Sequence, residues 1–274
     1  MLTTTDLLKM KQSGEKITMI TAYDYPSAKQ VEAANADMLL VGDSLGMVVL
    51  GYNSTTKVTM DDMIHHAKAA KRGASNTFIV VDMPFMSYHA SLEQSIFNAT
   101  KLFQETDAQA LKLEGASDEV ITLTKRLAAG GIPVIAHLGL TPQTVNVLGG
   151  YKVQANDEAE VKQLINDAHK VVESGAIALV LECIPKEIGK LVSESISIPT
   201  IGIGAGADCD GQVLVYHDIL QYGPSKFPKF VKNFADFNNV GVEALVKYVH
   251  EVKEGVFPQE EHTYKIKNKQ FLSN

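Results

Sequence analysis

The chain has 274 residues, 45% of them hydrophobic and 21% charged, ordinary values for a globular protein with a sizeable core. Its formal net charge of −7 supplies no basic footprint for nucleic acid, and its two cysteines, Cys183 and Cys209, are too few for a disulfide framework. No apolar run reaches membrane-spanning length and the first residues lack the apolar core of a signal peptide, so a soluble cytoplasmic protein without membrane contact is expected.

In chain order, residues 3–13 read as a short helix capped by Thr4 or Thr5 and stopped by Gly14. Residues 17–22 read as a strand, and Pro26 opens a helix that runs to residue 34. Residues 38–41 are four apolar residues without a polar break, the mark of a strand covered on both faces. Gly42, Asp43 and Ser44 follow directly. Residues 45–59 form a long connection too apolar for disorder and are expected to rim a site. A helix over 61–71, a strand over 78–83 ending near Asp82, and a helix over 91–106 come next. The alternation continues with a strand from 110 carrying Lys112 and Glu114, a helix over 118–129, and a strand from 133 carrying His137. A helix over 157–174, a strand from 176 ending in Glu182, a short helix over 185–194, and strands from 199 and 212 complete it.

Eight βα-type units in one run predict a closed (β/α)8 barrel of the TIM type. A doubly wound open sheet is the competitor, but it concentrates polar residues at one switch point, whereas here nearly every strand exit carries one. The whole chain, 1–274, reads as a single domain, with 224–274 as a helical C-terminal extension and polar tail. In that extension Phe227, Phe230, Phe234 and Phe237 lie near helical spacing among Lys226, Lys229 and Lys232. One apolar face, against the barrel or a neighbouring subunit, explains them better than nucleic-acid binding. A further helix is expected over 242–252.

Asp43 and Asp82 end neighbouring strands, where two converging carboxylates suit a hard divalent cation such as Mg²⁺; capping of the following helices is the plainer reading. Lys112 and Glu114 are two apart and share a face, so inside a barrel they must pair with each other, a metal or a substrate. His137 is either a hydrogen-bonded core histidine or a supporting site residue. Glu182 closes an apolar strand, where desolvation favours a general base, although a cap or a lysine partner fits the spacing equally. The glycines at 202, 204 and 206 lack the spacing of a dinucleotide fingerprint and serve either close approach to a ligand or tight packing. Cys183 reads as a small core residue.

Six motifs stand in order: Val-Gly-Asp-Ser-Leu-Gly (41–46), Val-Asp-Met-Pro-Phe (81–85), Leu-Lys-Leu-Glu-Gly (111–115), His-Leu-Gly-Leu-Thr-Pro-Gln (137–143), Leu-Glu-Cys-Ile-Pro (181–185) and Ile-Gly-Ile-Gly-Ala-Gly (201–206) with Asp-Gly-Gln-Val-Leu-Val (210–215). Together they closely resemble the ketopantoate hydroxymethyltransferase family, from about residue 3 to residue 257. The resemblance implies transfer of a hydroxymethyl group from 5,10-methylenetetrahydrofolate to 3-methyl-2-oxobutanoate, giving 2-dehydropantoate for pantothenate biosynthesis. It implies Asp43, Asp82 and Glu114 at a Mg²⁺ site, with Asp43, Ser44, Asp82 and Lys112 holding the oxo acid and Glu182 as proton acceptor. It also implies a homo-oligomer, often a decamer. Ala116, Ala155 and Met86 depart from the family pattern at positions where glycine is common.

Elementary chemistry agrees with that implication. Removing the C3 proton of a 2-oxo acid builds an enolate, whose charge a Mg²⁺ ion stabilises as a Lewis acid. The nearest rival is a Mg²⁺-dependent carbon–carbon lyase of the isocitrate lyase or phosphoenolpyruvate mutase type, but no Lys-Lys-Cys-Gly-His-type loop occurs in the sequence. A catalytically dead barrel kept for binding or assembly is disfavoured by the joint presence of Asp43, Asp82, Lys112, Glu114 and Glu182.

Overall fold

Alternate side chains of an extended strand share a face, and that periodicity builds the whole molecule. The computed structural model describes residues 1–223 and 226–267. Its strands are β1 (Ile17–Thr21), β2 (Met38–Val41), β3 (Phe78–Asp82), β4 (Ala110–Glu114), β5 (Val134–Gly139), β6 (Ala178–Glu182), β7 (Thr200–Ile203) and β8 (Gly211–Leu214). All eight pair in parallel in sequence order, and β8 closes on β1. The barrel expectation holds and the open sheet is excluded.

The outer layer and connections hold α1 (Thr4–Ser13), α2 (Tyr25–Ala33), α3 (Leu45–Val48), α4 (Met60–Gly73), α5 (Leu92–Thr106) and α6 (Asp118–Ala129). They continue with α7 (Val145–Leu148), α8 (Glu158–Glu173), α9 (Lys186–Ser195), α10 (Tyr216–Ile219) and α11 (Phe237–Lys253). The helix starts follow side-chain capping: Asp24, Thr59, Ser91, Ser117 and Asp157 each accept a backbone N–H from the first turn. The first helix is capped by Thr3, not by Thr4 or Thr5 as expected. Its side chain accepts from Asp6 N–H while Asp6 reaches back to Thr3, a reciprocal pair that Thr4 cannot form.

Inside the barrel the alternation runs from apolar to ionisable along β3 to β6. Phe78 and Val80 precede Asp82, Ala110 precedes Lys112 and Glu114, Ile135 precedes His137, and Ala178 and Val180 precede Glu182. The apolar layers fill the N-terminal half, where α1 contributes Leu7 and Met10. A buried apolar side chain contributes about 1.5–3 kcal/mol, whereas an isolated buried charge costs several. Ionisable groups are therefore confined to the C-terminal end, where they meet one another. Outside the strands, α2, α4, α5 and α6 cover one half of the barrel and α8 and α9 the other.

Three further expectations are corrected. The phenylalanine stretch is not helical: residues 226–236 follow an irregular course, and only Phe237 enters a helix. Pro228 lacks an N–H and disfavours helical backbone at Phe227. Phe234 N–H and Phe237 N–H donate to the carbonyls of Ile219 and Leu220 rather than to a preceding turn. Residues 224 and 225, where that stretch was expected to begin, lie outside the described residues, as does the end of the expected tail, 268–274. The helix expected over 242–252 is the longer α11, and none of its residues is buried. Cys183 is half-buried at the barrel mouth rather than in the core, with φ of 51°.

Met86 and Ala155, two of the three positions that depart from the glycine pattern, sit at φ of 59° and 56°. Left-handed backbone costs a residue with a Cβ about 1–2 kcal/mol. Among the described residues no helix is long and apolar enough to cross a membrane.

A Cβ at Gly189, on α9, would run into the carbonyl oxygen of Ala205 beyond β7, whereas one at Gly241 on α11 would meet nothing within 4 Å. Gly189→Ala is expected to cost about 1–3 kcal/mol. Gly241→Ala is expected to gain about 0.5–1 kcal/mol from helix propensity. Denaturant midpoints of the two variants, measured in parallel, check the sign of each.

Candidate active site

The groups that end the inward faces of β3 to β6, with the turn after β2, converge at the C-terminal mouth. Strand register places Asp82 beside Lys112, Glu114 beside His137, and Gly139 beside Glu182. Lys112 Nζ lies 3.1 Å from Asp82 Oδ1 and 3.8 Å from Glu114 Oε1. His137 Nδ1 lies 3.3 Å from Glu114 Oε1, and its Nε2 lies 3.2 Å from Glu182 Oε2, an ion-pair contact rather than an aligned hydrogen bond. Asp43 donates its backbone N–H to Asp82 Oδ2 at 3.0 Å. All six sequence-derived site residues from Asp43 to Glu182, with His137, line one cavity of about 1020 Å³.

The electrostatics follow from burial. Burial, then the charges of Asp82 and Glu114, hold the Asp43 carboxyl well above its ordinary range. Burial raises Asp82 too, against the pull of Lys112. Glu114 is brought down despite its burial, by hydrogen bonding to His137 and the charges of His137 and Lys112. Lys112 is opposed by burial, but Asp82, Glu114 and Asp43 outweigh it and raise its pKa. For His137, burial and Lys112 work against protonation, yet Glu114 and Glu182 push it up to about 9. Its Nδ1 also lies 3.2 Å from Lys112 Nζ, and both cannot donate to it and be charged; an imidazolium donating to Glu114 is the arrangement that the two carboxylates favour.

Sequence reasoning missed the residues that hold this cluster. Gln143, in the turn Pro142–Thr144, donates its side-chain amide to Asp43 Oδ2 at 2.8 Å and to the Met83 carbonyl at 3.0 Å. Its backbone N–H donates to Glu114 Oε2 at 3.0 Å, and its side-chain oxygen accepts from Tyr88 Oη at 2.7 Å. Tyr23 Oη lies 2.8 Å from Ser44 Oγ. Gln143 ends the fourth motif, which was its only signal. Glu182 is not sealed within its strand as expected: it is the last residue of β6, 15% exposed, and faces an imidazolium as well as apolar walls. The glycines of 202–206 are filled by the protein itself, since a Cβ at Gly202 would lie 3.0 Å from Cys209 Sγ and one at Gly204 2.7 Å from the Phe230 ring.

The connection after β2 does rim the cavity, through Met47, Val48, Val49 and Tyr52. Facing residues are Leu140, Pro142, Tyr151 and Val153, and beyond β8 Phe227 and Phe230.

A divalent cation fits this donor set. Asp43, Asp82, Glu114 and Glu182 bring four carboxylates against two cations, Lys112 and His137. Asp82 Oδ1 is buried, and although Lys112 is close it makes no aligned hydrogen bond to it. Hard oxygen donors favour Mg²⁺ over zinc. Among the described residues no three His, Cys, Asp or Glu side chains form a finished metal cage. That matches an ion that takes one or two carboxylates and fills its shell with water and substrate oxygens.

A sequence model described as ketopantoate hydroxymethyltransferase matches residues 1–260. A 3-methyl-2-oxobutanoate hydroxymethyltransferase of Bacillus cereus is 59% identical over 273 residues, covering 100% of this chain and 98% of the relative. One from Bacillus thuringiensis is 59% identical with the same coverage. Among solved structures, phosphonopyruvate hydrolase in complex with oxalate and Mg²⁺ has a TM-score of 0.62 at 13% identity, covering 97% of this chain and 93% of that one. A 2,3-dimethylmalate lyase of the PEP mutase/isocitrate lyase superfamily has a TM-score of 0.58 at 15% identity, covering 99% and 94%. At such identities the solved structures attest the fold alone.

Gln143→Ala removes the amide that pins Asp43 and leaves Tyr88 Oη without its acceptor. It is expected to weaken divalent-cation binding about 10–100-fold. Mg²⁺-dependent shifts of the thermal midpoint, compared between variant and wild type, measure it.

Proposed function

The chain belongs to the ketopantoate hydroxymethyltransferase family, and we propose that the cluster at its barrel mouth carries out that family's reaction. A hydroxymethyl group is transferred to 3-methyl-2-oxobutanoate, giving 2-dehydropantoate, with 5,10-methylenetetrahydrofolate as the one-carbon donor. One observation carries this reading: Glu182, 15% exposed, stands across His137 from the Lys112–Asp82 pair, inside one cavity with Asp43. A partly open carboxylate and a fixed cation thus face the same space.

Asp43, Asp82 and Glu114 supply the oxygen donors for Mg²⁺, with Glu114 already engaged by His137 and Gln143. When bound, the ion supplies Lewis-acid stabilisation of negative charge on the 2-oxo oxygen. Lys112 sets its ammonium against the substrate carboxylate, and Ser44, oriented by Tyr23, adds a hydroxyl. Val180, Ile203 and Val213 give the isopropyl end an apolar wall. Glu182 takes the C3 proton. His137 holds that carboxylate in place from 3.2 Å away. The carbon so activated then bonds to the methylene carbon of the folate, both C–N bonds of that carbon break to leave tetrahydrofolate, and water supplies the hydroxyl oxygen of the product.

The lyase reading is supported only by architecture, at 13–15% identity in the neighbours described. Identity of 59% over the full chain favours the transferase. We assign the protein to the cytoplasm, in keeping with its two free thiols. Its assembly is read as a homo-oligomer through α11, where Val242, Leu245, Val246 and Val249 lie exposed at helical spacing.

Two measurements test these readings. In D₂O with Mg²⁺ and no folate, the C3 proton of 3-methyl-2-oxobutanoate is expected to exchange, followed by NMR. Glu182→Gln is expected to slow that exchange about 10²–10⁴-fold while oxo-acid affinity holds; normal exchange in the variant removes Glu182 from the role of base. Adding methylenetetrahydrofolate to wild type is then expected to yield 2-dehydropantoate. For assembly, Leu245→Lys combined with Val249→Lys is expected to lower the molar mass seen by light scattering, with the circular-dichroism spectrum retained. An unchanged mass refutes docking through α11.

A further inference from the structure

The oxo acid accounts for only the inner part of the cavity. A space of about 1020 Å³ is at the upper end of what a drug-sized ligand fills, about 300–1,000 Å³. Its outer part is built differently from the inner cluster. There a carboxylate, Asp218, stands on α10, and Phe227, Phe230, Lys226 and Lys229 line the same cavity.

The position of Asp218 is fixed from two sides. The first residue of α10, Tyr216, donates its backbone N–H to Thr21 Oγ1 at 2.9 Å, which ties α10 to the exit of β1. The irregular segment 226–236 is strapped to the same helix: Asn233 donates its side-chain amide to the Asp218 carbonyl at 2.7 Å, and Phe234 N–H donates to the Ile219 carbonyl at 2.7 Å. The ring of Phe230 rests on Gly204, whose φ of 65° and missing Cβ leave it room. The carboxylate is close enough to Tyr23 for its charge to oppose ionisation of that phenol, so it stands on the side of the Tyr23–Ser44 pair.

Asp218 differs from the inner cluster in that, among the described residues, no side chain makes a hydrogen bond or ion pair with its carboxylate, Lys226 and Lys229 of the same cavity included. Burial alone pushes its pKa up to about 6, and among the described residues no cation or hydrogen bond works against it. A half-buried carboxylate that shares a cavity with aromatic rings, with its acceptor sites unused, is complementary to a flat heteroaromatic ring that presents two adjacent N–H donors. The 2-amino-4-oxo edge of a reduced pterin is such a group, and a carboxylate accepts its amino and ring N–H as a parallel pair. The lysines of the strap carry the opposite sign, which suits the carboxylates of a folate tail.

We propose that Asp218 is the residue that selects the one-carbon donor, accepting the paired N–H groups of the pterin while Phe227 and Phe230 cover its ring. The inference rests on the folate reading above. It adds a specificity residue that takes no part in proton removal.

The test measures binding by calorimetry on the full chain with saturating 3-methyl-2-oxobutanoate. The probes are tetrahydrofolate and 6-methyltetrahydropterin, which lacks the tail. Wild type is expected to bind both. Asp218→Asn is expected to weaken both about 10–100-fold, the range for loss of a charge-assisted hydrogen-bonded pair, while Asp218→Glu recovers part of the affinity. Lys226→Ala with Lys229→Ala is expected to weaken tetrahydrofolate alone. Protection by the oxo acid against thermal unfolding reports that each variant is folded, and Asp218→Ser serves if the amide variant is not. Undiminished binding of both probes to folded Asp218→Asn or Asp218→Ser overturns the role of Asp218 and leaves the donor assignment standing. Failure of wild type to bind either probe overturns the folate reading, and this inference with it.

Discussion

The structure turns on one buried ammonium. Lys112 sits 3.1 Å from Asp82 and 3.8 Å from Glu114, with Asp43 near enough to add its charge. Three carboxylates sealed in a barrel would otherwise be prohibitive, because each isolated charge costs several kcal/mol to bury. Barrel closure brings them together: Asp82 and Lys112 are paired in register across β3 and β4, and Glu114 is paired with His137 across β4 and β5. The apolar layers below exclude water and so strengthen every interaction above them. Lys112 is consequently a condition for burying the cluster, whatever charge it offers a ligand under the proposed reaction.

Compensation of the inner carboxylates is incomplete. Two cations face four carboxylates, and Asp43 absorbs part of the excess through a raised pKa. A divalent cation would offset the imbalance, and Asp82 Oδ1 already lacks an aligned donor. The rigidity needed for this comes from Gln143, which ties the turn after β5 to Asp43, to the carbonyl of Met83 and to Tyr88. Tyr88 in turn accepts the backbone N–H of Glu114. Three loops are thereby fastened around one carboxylate cluster by an uncharged residue, which holds Asp43 and Glu114 without adding a charge of its own.

Much of this was legible in the sequence for a physical reason. Strand period and the polar residue at each exit depend on local alternation, so the eight strands, the barrel and the residues Asp43, Asp82, Lys112, Glu114, His137 and Glu182 could be read directly. Gln143 and Tyr88 act through contacts 100 and 55 positions apart in the chain, to Asp43 and to each other. No periodicity reports such contacts. The phenylalanine stretch misled because its spacing is helical, while Pro228 and the carbonyls of α10 and the turn after it offered its backbone other partners. Met86 and Ala155 were visible as departures from a glycine pattern, and their positive φ gives that departure a cost.

Inner and outer parts of the cavity obey different constraints, and this bears on how one barrel serves several chemistries. The inner cluster is bound to the strands: moving Lys112 or Glu114 by one residue would turn it to the other face of β4. It is therefore a fixed arrangement of charge, with Glu182 held beside it by His137. The outer part is made by α10, the strap after it and the connection after β2, none of which enters the strand ladder. Their anchors, such as the Asn233 amide on the Asp218 carbonyl, lie apart from the charge balance below. In the proposed reaction, activation of the oxo acid would fall to the part bound to the strands, and selection of the one-carbon donor to the part that is not.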